Sequence, residues 1–240
     1  MRCLFVPQKN ITPPLIEVAG DDYHHAIKVY RLKIGSEIEI KDHLFAYLCK
    51  LKEIKKNHLL FEIITQRELM KEKINITLYQ SLLKGERFHY LLQKATELGV
   101  MNIIPYIAER SVVKVSTDDN KKIEKWQKIC DESCKQCGRD YIPKVHPILS
   151  SLNQIKADNI NKIIAYENEK ETQLKAILNT LDDKKGFHIL IGPEGGFTQN
   201  EIDIASQKGF LSCSISHHIL RSDTAAISVI SNIYYHFMSL

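Results

Sequence analysis

The spacing of apolar residues changes once along this chain, and the change predicts two different kinds of structure. In the N-terminal third, apolar and polar positions alternate, as they do around Ile38 and Ile40 and again around Leu59 and Phe61. Such alternation is typical of strands that bury one face. Short strands at this close spacing predict a small β-barrel in residues 1–70.

From residue 71 onward, short apolar runs alternate with segments that have helical periodicity. The predicted strands are Ile74 to Leu82, Ile103 to Pro105, Lys162 to Tyr166, Ile189 to Ile191 and Leu211 to Ile215. The predicted helices are Phe88 to Leu98, Ile123 to Cys137, Leu174 to Leu181, a helix after Thr198, and Ala226 to Phe237. Strands that alternate with helices predict an α/β domain with a mostly parallel sheet in residues 71–240.

A glycine-rich turn, Gly192-Pro193-Glu194-Gly195-Gly196, follows one of these strands and precedes a helix. Its glycines allow a ligand to approach the backbone, and Thr198 with Glu201 has the spacing of a capping box. The turn matches neither the P-loop nor the dinucleotide-binding fingerprint. Because Glu194 would repel a phosphate, a cationic or hydroxyl-bearing ligand is favoured. A plain turn with a solvated Glu194 is the alternative.

A second loop of similar build lies close to the C-terminus. After the strand that begins at Leu211, the chain turns through His217 to Arg221, and Ser222 or Asp223 is expected to cap the last helix. Ligands of open α/β sheets usually bind at the carboxyl ends of the strands. The two loops therefore predict a ligand site in the C-terminal part of the chain.

Two sets of residues have the composition of metal ligands. Cys130, Cys134 and Cys137 show the C-x3-C-x2-C spacing of enzymes that hold an iron–sulfur cluster, but a predicted helix would place them on one face as small apolar side chains. The adjacent pairs His24-His25 and His217-His218 suit zinc poorly, because neighbouring side chains point apart. We expect no metal site.

Composition limits the class of protein further. The chain has 240 residues, 44% of them hydrophobic and 26% charged, and a net charge of +4, which permits a polyanionic partner. No apolar run reaches the ~20 residues that span a bilayer, and Pro7 interrupts the N-terminus too early for a signal peptide. We therefore expect a cytoplasmic protein whose six cysteines are reduced thiols.

The two loops together carry a family resemblance. Ile191 to Phe197, followed by Ile219 to Ala225, closely resembles the paired C-terminal motifs of the SPOUT methyltransferases, in particular the RsmE family of 16S ribosomal RNA uridine-N3 methyltransferases. Further matching stretches are His24 to Gly35, Lys84 to Glu86, Gln93 to Val100, Glu109 to Ser111, Trp126 to Ile129 and Gln136 to Arg139. The chain departs from the family at Ser216, which is usually glycine, at His218, which is often arginine, and at Asp223, which is usually glutamate.

This resemblance implies a PUA-like RNA-binding β-barrel in residues 1–70 and a SPOUT methyltransferase domain with a deep C-terminal trefoil knot in residues 71–240. It also implies a homodimer that binds S-adenosylmethionine. The residues implied for cofactor binding are Tyr166, Glu167, Ile191, Gly192, Pro193, Glu194, Gly195, Gly196, Ser216, Ile219 and Leu220.

The implied reaction is methyl transfer to N3 of a uridine in the 16S RNA of the small ribosomal subunit. Arg221 is expected to stabilise the imide anion, and Glu194 is a candidate base, with Asp223 as a second. A structural ion pair between Arg221 and Asp223 or Glu194 is the alternative. The candidate RNA contacts are Arg2, Lys28, Arg31 and Arg139. Two other functions stay open: a SPOUT enzyme for tRNA ribose, and a non-catalytic RNA-binding protein of ribosome assembly.

Overall fold

The computed structural model describes residues 3–113, 116–117, 119–156 and 158–238. The chain divides into two compact units. The first comprises Met1–Lys71 together with Glu132–Tyr141, and the second comprises Glu72–Asp131 and Ile142–Leu240. Glu132–Tyr141 lies in the stretch, residues 71–240, that the sequence assigned to the second domain.

A six-stranded sheet forms the first unit. Its strands are β1 (Cys3–Phe5), β2 (Ile11–Thr12), β3 (Leu15–Ala19), β4 (Glu37–Lys41), β5 (Phe45–Ile54) and β6 (His58–Glu68). They lie in the order β1-β4-β5-β6-β3-β2, with β1 parallel to β4 and all other neighbours antiparallel. Within the described residues no strand pairing joins β1 to β2, so closure of this sheet into a barrel stays a prediction.

The alternating sequence pattern builds the core of this unit. Ile38, Ile40, Leu59 and Phe61 are all buried and belong to one apolar cluster. A short helix, α1 (Asp21–His24), continues as one π-helical turn over His25–Val29. The period of two in the sequence thus correctly predicted which side chains of these strands are buried.

Buried charges hold Glu132–Tyr141 against the sheet of the first unit. The ammonium group of Lys41 lies 2.7 Å from the Asp140 carboxylate and donates to the Gly138 carbonyl oxygen at 2.7 Å. Arg67 donates to both carboxylate oxygens of Asp140, at 2.6 and 3.0 Å. Burial raises the pKa of Asp140, but the hydrogen bonds from Arg67 and Lys41 outweigh burial and hold this pKa well below its usual value.

The second unit is an α/β structure with a six-stranded sheet. Its strands are β7 (Ile76–Ser81), β8 (Asn102–Tyr106), β9 (Lys144–Val145), β10 (Asn161–Ala165), β11 (Phe187–Ile191) and β12 (Leu211–Cys213). The helices are α2 (Glu86–Glu97), α3 (Asn120–Cys137), whose last residues belong to the first unit, α4 (Leu174–Leu178), α5 (Gln199–Gln207) and α6 (Ser222–Phe237). The strand order is β12-β10-β11-β7-β8-β9, and every pair is parallel, which confirms the predicted parallel sheet.

Helices cover both faces of this sheet, and β11 shows why its sequence lacks alternation. Ile189 packs in the apolar cluster that contains the buried residues of α2 and α6, including Val229. The next residue, Leu190, packs in a separate cluster with Ala205 of α5. Because both faces of β11 are buried, the strand is apolar throughout.

The ends of two helices test the predicted capping residues. The capping box at α5 is confirmed, since the Glu201 N–H donates to the Thr198 hydroxyl oxygen and the Thr198 N–H donates to the Glu201 carboxylate. The predicted cap at Ser222 or Asp223 is wrong, because α6 begins at Ser222 and Arg221 occupies the N-cap position without a side-chain hydrogen bond. The Ser222 hydroxyl instead donates to the Gly192 carbonyl oxygen.

The cysteines lie mainly in the apolar interior. Cys130 and Cys134 are buried on α3 as predicted, whereas Cys137, the last residue of that helix, is exposed. Burial raises the pKa of Cys49 and of Cys213 to about 12, so both thiols stay protonated at neutral pH. In the described part of the chain, no group of three or more potential ligands could hold a metal ion, and no helix is long and apolar enough to cross a membrane.

Candidate functional site

A cavity of about 780 Å³ opens at the carboxyl ends of β10, β11 and β12 in the second unit. Its volume is in the range of small-molecule sites. The residues expected to bind a cofactor all line it: Tyr166, Glu167, Ile191, Gly192, Pro193, Glu194, Gly195, Gly196, Ser216, Ile219 and Leu220. Arg221, the expected catalytic cation, lines the same cavity. The two loops that the sequence singled out therefore meet in one place.

The first of these loops, residues 192–197, is called the glycine loop below. Arg110 donates from Nη1 to the carbonyl oxygens of Gly195, at 3.4 Å, and of Phe197, at 3.1 Å. The Ser222 hydroxyl donates to the Gly192 carbonyl oxygen at 2.5 Å, and the Gly196 N–H donates to the Pro193 carbonyl oxygen at 3.1 Å. These bonds fix the backbone of the loop from several directions before any ligand binds.

Two glycines of this loop have no room for a side chain. Gly196 has φ +71°, in the left-handed region, and a Cβ atom there would collide with the carboxylate of Glu167. A Cβ atom at Gly192 would lie 2.8 Å from the ring of Phe197. The close approach of Glu167 to the backbone at Gly196 brings the β10 side of the cavity against the glycine loop.

Polar side chains buried beneath the glycine loop support it. Gln80 donates from Nε2 to the Ser222 hydroxyl oxygen at 2.9 Å, and the Ser222 hydroxyl in turn donates to the Gly192 carbonyl oxygen. The hydroxyl of Tyr106 donates to the Ile191 carbonyl oxygen at 3.0 Å. Burial, with smaller contributions from Glu201 and Glu167, raises the pKa of Tyr106 well above its usual value, so this donor stays protonated.

Gln80, Tyr106 and Arg110, which support the site, are not among the residues predicted for it from the sequence. Gln80 is a long polar side chain in a strand whose apolar residues Ile76 and Leu78 predict burial, and this was the available signal. Arg110 lies in one of the stretches that resemble the family, but nothing in that stretch specifies which backbone atoms it would contact. Their partners lie many residues away along the chain, so only the folded structure reveals these contacts.

The second loop, residues 216–221, is called the C-terminal loop below and is held by fewer contacts. The Ser216 hydroxyl oxygen accepts the N–H of His218 at 3.1 Å, and the Ser214 hydroxyl donates to the Ser216 carbonyl oxygen at 3.2 Å. Ile219 is 83% exposed. Among the described non-glycine residues only Arg31 has a positive φ, so Ser216 adopts an ordinary backbone conformation where the family usually has glycine.

The charged groups of the cavity are paired unequally. Glu194 lies 3.6 Å from Nη1 of Arg87, a residue of the first turn of α2 that the sequence analysis did not consider. Arg221 is exposed and has no ion pair or side-chain hydrogen bond with any described residue. The structural alternative for Arg221, an ion pair with Asp223 or Glu194, is therefore not present.

The candidate RNA contacts belong to the first unit, apart from Arg2, which lies outside the described residues. Lys28 and Arg31 are exposed at the end of the π-helical turn, and Arg31 has φ 54°. The carbonyl oxygen of Arg139 accepts a hydrogen bond from Lys41 at 3.1 Å, which fixes the backbone at that residue. A non-glycine residue in the left-handed region is uncommon and often marks a functional turn.

Two family models match this chain. The RNA methyltransferase domain matches residues 70–234, and the RNA methyltransferase PUA domain matches residues 18–64. The first match covers more than half of the chain and includes the whole cavity. The second lies within the six-stranded sheet of the first unit.

Proteins of known name and structure are similar over almost the full length. Ribosomal RNA small subunit methyltransferase E of Bacillus subtilis is 31% identical, over 92% of this chain and 90% of that protein. The protein of the same name from Mesomycoplasma hyopneumoniae is 35% identical, over 85% of this chain and 88% of its own. The crystal structure of ribosomal RNA small subunit methyltransferase E from Neisseria gonorrhoeae bound to S-adenosyl methionine superposes with a TM-score of 0.85, at 28% identity, covering 98% of this chain and 97% of that one.

Proposed function

Because the chain belongs to the RNA methyltransferase family that includes ribosomal RNA small subunit methyltransferase E, we propose that it transfers the methyl group of S-adenosylmethionine to N3 of a uridine in 16S ribosomal RNA. One observation carries the proposal: the glycine loop, the C-terminal loop and Arg221, whose side chain has no partner among the described residues, line a single cavity. A plain turn at Gly192 to Gly196 would not require the dense support that this loop receives.

The residues of the cavity fit S-adenosylmethionine, which is cationic and carries an amino group and ribose hydroxyls. Glu167 and Glu194 supply carboxylates for a cation or for hydroxyl donors, while Ile191 and Leu220 supply apolar surface. Gly192 and Gly196 line the cavity at positions where a Cβ atom would collide with Phe197 and with Glu167, so only glycine permits this close packing of the loop. When bound there, the cofactor supplies an electrophilic methyl group on a sulfonium.

The chain's own residues must handle the uridine proton. N3 of uridine carries a proton, which leaves as the N–CH3 bond forms and the S–CH3 bond breaks. The guanidinium of Arg221 has no partner among the described residues, so its donors are free to stabilise charge on the carbonyl oxygens beside N3. Glu194, which lines the cavity, is the candidate base, with Asp223 as the second candidate.

RNA binding by the first unit is a further part of the proposal. Arg31 and Lys28 project from the same short segment, and the hydroxyl of the adjacent Tyr30 anchors this segment by donating to the Cys3 carbonyl oxygen at 3.2 Å. Arg31→Glu should weaken RNA binding and flatten its salt dependence. Lys52→Glu is the matched charge reversal, because Lys52 is paired with Glu62 in the same unit. Equal effects of the two changes would remove Arg31 from the interface.

The homodimer and the trefoil knot complete the proposal. The ring of Tyr235 on α6 is 89% exposed, as expected for an aromatic that a second subunit covers, and light scattering of the purified protein tests this directly. For the knot, Ser222 at the start of α6 is bonded to the turn after β11. Single-molecule pulling from both termini should leave an unfolded contour shorter than that of an unknotted chain.

Nucleoside analysis of 16S RNA from strains with and without this gene tests the reaction. The proposal is supported if N3-methyluridine is missing at one position when the gene is deleted. It should return when that RNA is incubated with the protein and S-adenosylmethionine. A missing 2′-O-methyl group in tRNA would support the tRNA ribose enzyme instead. Unchanged nucleosides, with RNA binding but no binding of S-adenosylmethionine, would support a non-catalytic protein of ribosome assembly.

A further inference from the structure

Three arginines contact or face the glycine loop region, and they differ in how firmly each is held. Arg110 is committed to the carbonyl oxygens of Gly195 and Phe197, so its role is structural. The Arg221 side chain has no partner among the described residues. Arg87 is held more weakly than Arg110, since within the described chain its guanidinium makes a single polar contact, an approach of 3.6 Å to Glu194.

The Arg87–Glu194 pair is weak and easily exchanged. The distance is beyond hydrogen-bond length, only one nitrogen approaches one oxygen, and the side chains are 43% and 26% exposed. Exposed ion pairs of this kind contribute little to stability and are screened by salt. Both groups nevertheless line the cavity, so each is available to a ligand of opposite charge.

The ligands of the proposed function have opposite net charge. S-adenosylmethionine carries an ammonium, a sulfonium and a carboxylate, so its net charge is positive and its cationic groups are attracted to Glu194, whereas RNA carries phosphates, which are attracted to Arg87. Without a positively charged partner, Glu194 would repel RNA from the cavity. A cation that replaces Arg87 at Glu194 therefore keeps this carboxylate neutralised and at the same time frees a guanidinium.

We propose that the Arg87–Glu194 pair couples cofactor binding to RNA binding: the positive charge of S-adenosylmethionine takes over Glu194, and the released Arg87 guanidinium binds a phosphate of the RNA next to the target nucleotide. Arg87 is thus a positioning residue, and this inference rests on the proposed function. By linkage, RNA strengthens cofactor binding by the same factor by which the cofactor strengthens RNA binding.

The test measures the affinity of the full chain for an unmodified 16S RNA transcript, with and without saturating S-adenosylmethionine, at several salt concentrations. In the wild type the cofactor should tighten RNA binding by about fivefold or more. It should also steepen the dependence of log K on log salt by about 0.7, as expected for one additional phosphate contact on single-stranded RNA.

Variants separate the two halves of the pair. Arg87→Gln should abolish both the tightening and the change in slope, whereas Arg87→Lys, which keeps the charge, should retain most of each. Glu194→Gln should bind RNA tightly without the cofactor and show no further gain. Lys94→Gln and Glu97→Gln are the matched controls, because these residues form an ion pair on the same helix and do not line the cavity.

The outcome distinguishes this inference from the proposed function. Suppose that the wild-type protein binds S-adenosylmethionine and methylates RNA while its RNA affinity and salt slope do not depend on the cofactor. That result would contradict the coupling and leave the proposed function intact. Coupling that persists in Arg87→Gln overturns the role of the pair. A wild-type protein that shows no calorimetric binding of S-adenosylmethionine overturns the proposed function, and the coupling with it.

Discussion

The two loops that line the cavity are built differently. The glycine loop receives hydrogen bonds from Arg110 and Ser222 and is followed by the capping box of α5. The C-terminal loop, within the part of the chain that the structure describes, is held by two local hydrogen bonds at Ser216 and ends in Arg221, whose exposed guanidinium has no partner there. One loop is therefore preorganised by the fold, whereas the other leaves its reactive cation free for the substrate.

This contrast suggests a division of labour. A preorganised backbone costs no ordering entropy when it binds a ligand, which suits cofactor recognition. A free guanidinium keeps its full hydrogen-bonding capacity for charge that develops during the reaction. We therefore expect changes in the glycine loop to affect cofactor affinity and changes at Arg221 to affect the chemical step.

Arg221→Ala should give the largest effect. Removing a donor that stabilises transition-state charge should lower single-turnover methylation by about 100-fold or more. Calorimetric affinity for S-adenosylmethionine and the melting temperature should change little, because the Arg221 side chain has no hydrogen bond or ion pair with the described residues. Near-normal methylation by this variant would show that its charge is not used.

Gly196→Ala should have the next largest effect and act through the cofactor. The positive φ costs about 1 kcal/mol for alanine, and its Cβ atom would collide with Glu167. We expect affinity for S-adenosylmethionine to fall by tenfold or more. Gly209→Ala is the matched control, since Gly209 has φ +85° with nothing within 4 Å of a Cβ atom. The Gly209→Ala variant should lose a similar amount of stability through its backbone and keep its affinity for the cofactor. Equal cofactor affinities in the two variants would contradict the role of Gly196 in cofactor binding.

Arg110→Ala should loosen the glycine loop without changing its sequence. The loss of donors to two carbonyl oxygens should cost about 1 kcal/mol of unfolding free energy, measured by denaturant titration. Cofactor affinity should fall by several-fold while the rate from the bound state changes less. If the affinity stays constant, this loop does not depend on Arg110 for its conformation.

Ser216→Gly should give the smallest effect and tests the C-terminal loop. Ser216 has no positive φ, and its hydroxyl bonds only within its own loop, so the change should alter cofactor affinity by less than about threefold. A much larger change in calorimetric affinity would mean that the Ser216 hydroxyl contacts the ligand. Thermal unfolding of the same variant controls for a general loss of stability.

The sequence predicted well those elements that are determined by residues close together along the chain. The apolar run of β11 requires burial on both faces, and the Thr198–Glu201 spacing forms the capping box that begins α5. The assignment of a cap to Ser222 failed because its hydroxyl is used by Gly192, a partner that is distant in sequence. Arg87 and Gln80 were missed for the same reason.

By itself the sequence determined the order and kind of the elements, the family, and the two loops of the candidate site, because periodicity, turn residues and motifs are properties of neighbouring positions. Only the tertiary structure decided that Glu194 pairs with Arg87 and that Arg221 is unpaired among the described residues. It also decided that Asp140 closes a buried ion pair with Lys41. The physical reason is that ion pairs and buried hydrogen bonds depend on distances of a few ångströms, which folding sets between residues that the sequence keeps far apart.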